Sequence, residues 1–167
     1  MTATTPHEAR RTPPRLVIRT FWLLHRAAYR LTRGGFGLSR PEAGTKFGML
    51  RLTTIGRRSG QSRAAIIGYF EDGPNLVTLA MNGWGEKEPG WWLNLQAQPD
   101  TTVDLAGETR AVRARAAIGE ERDRLWATVA DYPGWGNDID GLATQRMRPT
   151  AVVVLEPRTT IRTPTSN

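Results

Sequence analysis

Residues 52–63 read "LTTIGRRSGQSR". The run before them, "KFGMLRLTT" (46–54), has the look of a strand, and so does the run after, "AAIIGYF" (64–70). Two short strands joined through a Gly-bearing turn predict an antiparallel hairpin. The tip of that hairpin is unusual. Arg57, Arg58 and Arg63 surround Ser59-Gly60, with Gly56 ahead of them. An ordinary tip needs a glycine and some polarity, not a cluster of like charges that repel one another. A turn of small residues can aim several backbone N–H groups at one point, and flanking guanidiniums add forked, charge-assisted hydrogen bonds, which together would make a phosphate cradle. A merely solvated basic turn has the same spacing, and spacing alone leaves both readings open. The run "GRRSGQSR" lacks the G-x-x-x-x-G-K-[ST] pattern of a Walker loop.

Outward from the hairpin, the chain continues in short elements. A third strand is predicted at 75–81. "GWWLNLQAQ" (90–98) lies between Pro89 and Pro99 and fits a helical turn or two. "TTVDLAGETRAVRARAA" predicts a hairpin turning at Ala106-Gly107, "GEERDRLWATVADYP" a helix ending before Pro133, and "TAVVVLEP" a buried closing strand that stops at Pro157. About six strands with few helices favour a small barrel over an open parallel sheet. Toward the N-terminus, "GGFGLSRPEAG" (34–44) reads as a Gly/Pro linker, and "RLVIRTFWLLHRAAYRLTR" (15–33) as a helix. Arg15, Arg19, Arg26, Arg30 and Arg33 fall on one stripe of a 3.6-residue period, away from Phe21, Trp22, Leu23 and Leu24. The expected organisation is a polar tail at 1–14, an amphipathic helix with its linker at 15–45, a barrel domain at 46–157 and a tail at 158–167.

Composition narrows the chemistry. The 167 residues include no Cys, which excludes disulfides, thiolate metal sites and Cys nucleophiles, and only two His, which argues against a metal centre or a Ser-His-Asp triad. No metal site is expected. The net charge of +7 is unevenly spread: residues 1–63 carry 13 basic and two acidic side chains, and the remainder is net acidic. A basic N-terminal part points to an anionic partner such as a phosphate, a polycarboxylate or an acidic membrane. The apolar part of 15–33 is short and broken by arginines, so it reads neither as a signal segment nor as a membrane span. A nucleic-acid partner is not expected, since no recognised motif occurs and Trp91 and Trp92 lie in the acidic part.

Two further stretches could carry chemistry. In "MNGWGEKEPGWWLNL" (81–95), a strand end leads through an Asn-Gly loop to a helix start at Pro89. Trp91 and Trp92 are adjacent and must face different directions, so one is expected in the core. In "DYPGWGNDID" (131–140), Tyr132 and Trp135 sit on a loop beyond a helix, where aromatics either cover flat ligands or staple the loop to the core.

"LRLTTIGRRSGQSRAAIIGYFEDG", "PGWWLNLQAQPD", "GEERDRLWATVADYPGW" and "VVVLEP" occur in this order. Over Phe47 to Pro157 the chain resembles the deazaflavin-dependent nitroreductase/quinone reductase family of actinobacteria. The pairing of T-T-x-G-R-[KR]-[ST]-G with W-[YW]-L-N-L makes the likeness specific. The resemblance implies an α+β, mainly β split barrel like that of flavin mononucleotide-binding proteins, and binding of the 8-hydroxy-5-deazaflavin coenzyme F420. By the same likeness Arg57, Arg58, Ser59 and Arg63 would hold the cofactor's phosphate and the first carboxylates of its oligoglutamate tail. Leu79, Ala80, Met81 and Asn82 would line ring and linker, as would Gly90, Trp91, Trp92 and Asn94, with Trp135 also on the cofactor. The chain differs from the family in having Met81-Asn82 where Ser-Lys is frequent, and Trp135 where the nitro-reducing members have a tyrosine.

The implied chemistry is hydride transfer from reduced deazaflavin to an electron-poor acceptor, a quinone or nitro compound, with Tyr132 donating a hydrogen bond to developing oxyanion charge. A flavin mononucleotide (FMN)-dependent oxidoreductase on the same fold, and a non-enzymatic membrane-surface carrier using 15–33, remain as alternatives. The expected location is the cytoplasm, with peripheral contact at the inner face of the cell membrane through 15–33.

Overall fold

The computed structural model describes residues 37–81, 87–130, 132 and 149–158. Six strands make a closed antiparallel barrel: β1 (Gly48–Ile55), β2 (Ser62–Asp72), β3 (Asn75–Leu79), β4 (Asp100–Leu105), β5 (Glu108–Ala116) and β6 (Val152–Pro157). Helix α1 (Gly90–Ala97) joins β3 to β4, and α2 (Gly119–Ala130) follows β5. Around the barrel the order is β1-β2-β3-β6-β5-β4, closed by pairing of β4 with β1. The predicted small barrel and both predicted hairpins are therefore present, the second turning through Gly107 at φ 104°.

Closure follows from residue alternation. Along β1, Leu50 and Leu52 are fully buried while Arg51 and Thr53 are only half so, a period of two that sends alternate side chains inward. The interior holds Leu50, Leu52, Tyr69, Leu76, Val103, Val112, Ala114, Val153 and Leu155, and Trp92 and Leu95 of α1 join the same cluster. A second cluster lies on the other face of β3 and β6. There Phe70, Val77, Leu79, Val152 and Val154 are covered by Leu125 and Val129 of α2. Strand β6 is thus buried on both faces, which is why "VVVL" shows no alternation in the sequence.

The stretch read as a Gly/Pro linker is more structured than expected from Leu38 onward. Ser39 exchanges both backbone hydrogen bonds with Met49, and Glu42 pairs with Lys46 around Gly44 at φ 66°. Pro41 thereby lies against Gly48, where a Cβ would stand 2.8 Å from Pro41 Cδ and 2.4 Å from Tyr69 Cε1. The amphipathic stretch 15–33, Asn82, Trp135 and most of the loop after α2 fall outside the described residues. Among the described residues no helix is long and apolar enough to cross a membrane, and no cluster of His, Asp or Glu could hold a metal.

Candidate functional site

The basic loop between β1 and β2 is a closed turn. Gly56 N–H donates to the Gln61 carbonyl (2.8 Å), and the Ser59 and Gly60 amides donate back to the Gly56 carbonyl (3.1 and 2.7 Å). Gly60 adopts φ 65°, a left-handed conformation that costs a residue with a Cβ about 1–2 kcal/mol. The Gln61 amide reaches Ser59 Oγ (3.4 Å). The turn's own carbonyls and hydroxyl therefore take the amides of Gly56, Ser59, Gly60 and Gln61. This corrects the cradle of converging N–H groups: the loop offers an anion guanidiniums rather than a nest of amides.

Those guanidiniums are free of acid partners. Arg51, Arg110, Arg113, Arg115, Arg122, Arg124 and Arg158 all pair with carboxylates. Among the described residues Arg57, Arg58 and Arg63 pair with none. Arg57 Nη1 and Arg63 Nη2 touch only amide oxygens, Asn94 Oδ1 at 3.4 Å and Gln61 Oε1 at 3.2 Å. All three residues are exposed. Arg63 stands opposite Thr54 in the β1–β2 ladder, so the two side chains leave the sheet on the same face.

Helix α1 supplies the other wall. Pro89 opens it, and Trp92 is turned inward at 5% exposure while Trp91 is half-buried beside it, with ring centroids 6.3 Å apart in an edge-to-face arrangement. One tryptophan in the core and one on its margin is what their adjacency required. Asn94, two positions on, is buried and hydrogen-bonded to both the loop and β1: its Oδ1 accepts from the Arg57 amide (3.1 Å) and its Nδ2 donates to Thr54 Oγ1 (3.1 Å).

The remaining residues expected at the site are placed as follows. Gly90 is exposed at the first turn of α1, and Met81 is half-buried after β3. Leu79 and Ala80 are buried, Leu79 in the cluster under α2 and Ala80 inside the barrel, so their side chains serve the core and only their backbone can face a ligand. Tyr132 is 6% exposed, stacked on Phe47 (centroids 4.6 Å apart) and tilted against Phe70 (5.6 Å), which realises the staple reading of that aromatic. The structure thus brings Arg57, Arg63, Asn94 and the α1 tryptophans to one end of the inner barrel, and puts Tyr132 in the outer cluster. Thr54 was missed by sequence reasoning. A second threonine at the end of a strand gives no signal by itself.

The fold defines the class of protein. A structure of an F420-H2 dependent reductase (FDR-A) superimposes with a TM-score of 0.56 at 25% identity, over 65% of this chain and 93% of that one. A second structure, described as a domain-swapped dimer, gives 0.60 over 83% of this chain and 99% of its own at 24% identity, a likeness of fold. Both share the fold of this chain, a split barrel like that of flavin mononucleotide-binding proteins. The description "F420H(2)-dependent quinone reductase" matches residues 22–157. Two proteins of Mycobacterium tuberculosis strains, the F420H(2)-dependent quinone reductases Rv1261c and MT1299, are each 32% identical over 137 residues, covering 81% of this chain and 89% of theirs. The chain belongs to the F420H(2)-dependent quinone reductase family, and with that membership come an oxidoreductase activity and coenzyme F420 as its cofactor.

Proposed function

We propose that Arg57, Arg58 and Arg63 hold the phosphate and leading tail carboxylates of coenzyme F420, while Trp91, Trp92 and the backbone of Leu79 to Asn82 receive the ring. The observation that carries this reading is the set of three guanidiniums without carboxylate partners on one closed loop, in a protein whose other described arginines are largely ion-paired. Charged donors of this kind suit a phosphate–polycarboxylate tail, so the residues present fit the group. When bound, the reduced deazaflavin supplies a hydride to an electron-poor acceptor.

The chain's residues bind, orient and exclude water. Trp92 closes the barrel beneath the site and Trp91 presents an aromatic face at its margin. We assign a quinone as the acceptor, following the family. By the family resemblance, Trp135 stands where nitro-reducing members have a tyrosine and Met81 where the family often has a serine, which argues against nitro compounds as the main substrates. Phe47 and Phe70 hold the Tyr132 ring in the outer cluster, so the catalytic role that the resemblance implies would rest on its hydroxyl reaching the acceptor's developing oxyanion. Tyr132→Phe then lowers kcat for quinones while thermal stability holds. The basic stripe of 15–33 supports contact with an anionic membrane, where a lipophilic quinone dissolves.

A parallel titration with coenzyme F420 and flavin mononucleotide tests the cofactor assignment. Tighter binding of F420, weakening with added salt, is expected. Equal or tighter binding of flavin mononucleotide overturns the assignment of the loop to the deazaflavin tail.

A further inference from the structure

We propose that Thr54 and Asn94 are positioning residues: a buried hydrogen-bonded strut from β1 through α1 that fixes the backbone and guanidinium of Arg57 for anion binding, so that Asn94 acts on the cofactor through the loop rather than by touching it. The inference rests on the reading of the loop as the anion site. It also reassigns Asn94, which the family resemblance would make a direct ligand.

The chemistry of the donors fixes the strut's polarity. The Arg57 amide and Nη1 can only donate, so the group they share at 3.1 and 3.4 Å must be the carbonyl oxygen of the Asn94 side chain. The amide nitrogen then faces Thr54 Oγ1 at 3.1 Å, and the hydroxyl accepts. Thr54 is 3% exposed and Asn94 7%, so water competes poorly for either group and an unmade bond is costly. With Oδ1 taking two donors and Nδ2 one, three of the four hydrogen bonds open to the Asn94 amide are made inside the protein. Among the described residues the rest of the loop is held by its own turn, through Gly56, Ser59, Gly60 and Gln61, and by the exposed contact of Arg63 with Gln61. Asn94 is therefore the point at which the described part of the loop is tied to a rigid element, α1, which is itself anchored by Trp92 and Leu95 in the barrel core.

A strut and a ligand contact predict different responses. Thr54→Val keeps the shape and removes the acceptor of Nδ2. Thr54→Ser restores it. Asn94→Asp keeps an acceptor for the Arg57 amide and lets the Thr54 hydroxyl turn to donate, but sets a carboxylate against the Arg57 guanidinium. Two readouts separate the possibilities: hydrogen exchange of the amides of residues 56–61 in the cofactor-free protein, and affinity for F420 alongside affinity for the deazaflavin riboside that lacks phosphate and tail.

Thr54→Val should speed exchange at Arg57 and weaken F420 by about three- to tenfold, the equivalent of one lost hydrogen bond, while leaving riboside affinity close to the parent. Thr54→Ser should return both to parental values. Asn94→Asp should keep Arg57 protected yet weaken F420 selectively. If Thr54→Val leaves both exchange and F420 affinity unchanged, or weakens the riboside as much as F420, the strut is wrong. The exchange experiment needs no cofactor. A protein that shows the Thr54-dependent protection but binds no F420 would keep the strut and overturn the assignment of its loop.

Discussion

Arg63 stands across the β1–β2 ladder from Thr54, and its side chain therefore leaves the sheet on the face where Asn94 meets β1. Position in the ladder sets the face on which it stands. Arg113 has the same chemistry but faces outward on β5, where both of its contacts go to Asp100. If Arg63 holds the phosphate or a tail carboxylate as proposed, Arg63→Ala should remove a charge-assisted bond, typically about 1.5–3 kcal/mol, which is roughly ten- to a hundredfold in F420 affinity. Arg113→Ala should leave that affinity unchanged. Fluorescence titration of both variants checks the contrast, and equal effects would mean that charge in general, not the loop, governs binding. At this scale the sequence was partly legible. The clustering of Arg57, Arg58 and Arg63 marked the loop because like charges on a tight turn need an external reason. The strut was not legible, because it depends on Thr54, Arg57 and Asn94 meeting across 40 residues, and nothing in the spacing says that the three meet.

Elements were read well wherever a period or a punctuating residue spoke for them. β1 alternates, α1 is bracketed by Pro89 and Pro99, and the β4–β5 turn needs Gly107. The stretch 34–44 reads as a linker because of its glycines and Pro41, while from Leu38 onward the structure folds it against β1 through two backbone bonds between Ser39 and Met49. Gly48 is the price of that approach. Gly48→Ala would drive a Cβ into the Tyr69 ring and into the backbone nitrogen of Pro41, the second a contact that no rotamer change can relieve, and should cost about 1–3 kcal/mol in urea unfolding. A second element-level device ties α2 to the barrel. Arg115 of β5 forks onto both oxygens of Glu121 (2.6 and 2.7 Å) and also reaches Glu156 of β6 (2.7 Å). The hydrogen bonds from Arg115 hold the Glu121 carboxyl below its ordinary pKa. Because the folded value is the lower one, the pair's contribution to stability is complete above the ordinary carboxylate range and is lost as pH falls through the depressed folded value. Glu121→Gln should therefore melt below the parent at neutral pH, and the gap should close on acidification. A gap that stays constant from neutral to acid would show that packing, not charge, joins α2 to β5.

On the scale of the whole chain, charge and topology divide the labour. The barrel and α2 contain most of the paired arginines, the β1–β2 loop and the start of β2 carry three that have no carboxylate partner among the described residues, and residues 1–63 together carry 13 of the 23 basic side chains. Such a distribution attracts polyanions over distances comparable to the Debye length, about 8 Å at physiological salt. Two anions would suit this charge, the cofactor tail and an anionic lipid surface, and they would be distinguished by which arginines they need. If the stripe of 15–33 docks on lipid, binding to vesicles rich in anionic lipid should be lost in a full-length protein carrying Arg19→Gln, Arg26→Gln and Arg30→Gln, and lost for the parent near 1 M salt, where the Debye length falls to about 3 Å. F420 affinity of the triple variant should stay at the parental value, because Arg57, Arg58 and Arg63 are untouched. Co-sedimentation at several salt concentrations reads both effects. Retention of vesicle binding in the triple variant, or its absence in the parent, would remove the membrane from the route by which a quinone reaches the barrel.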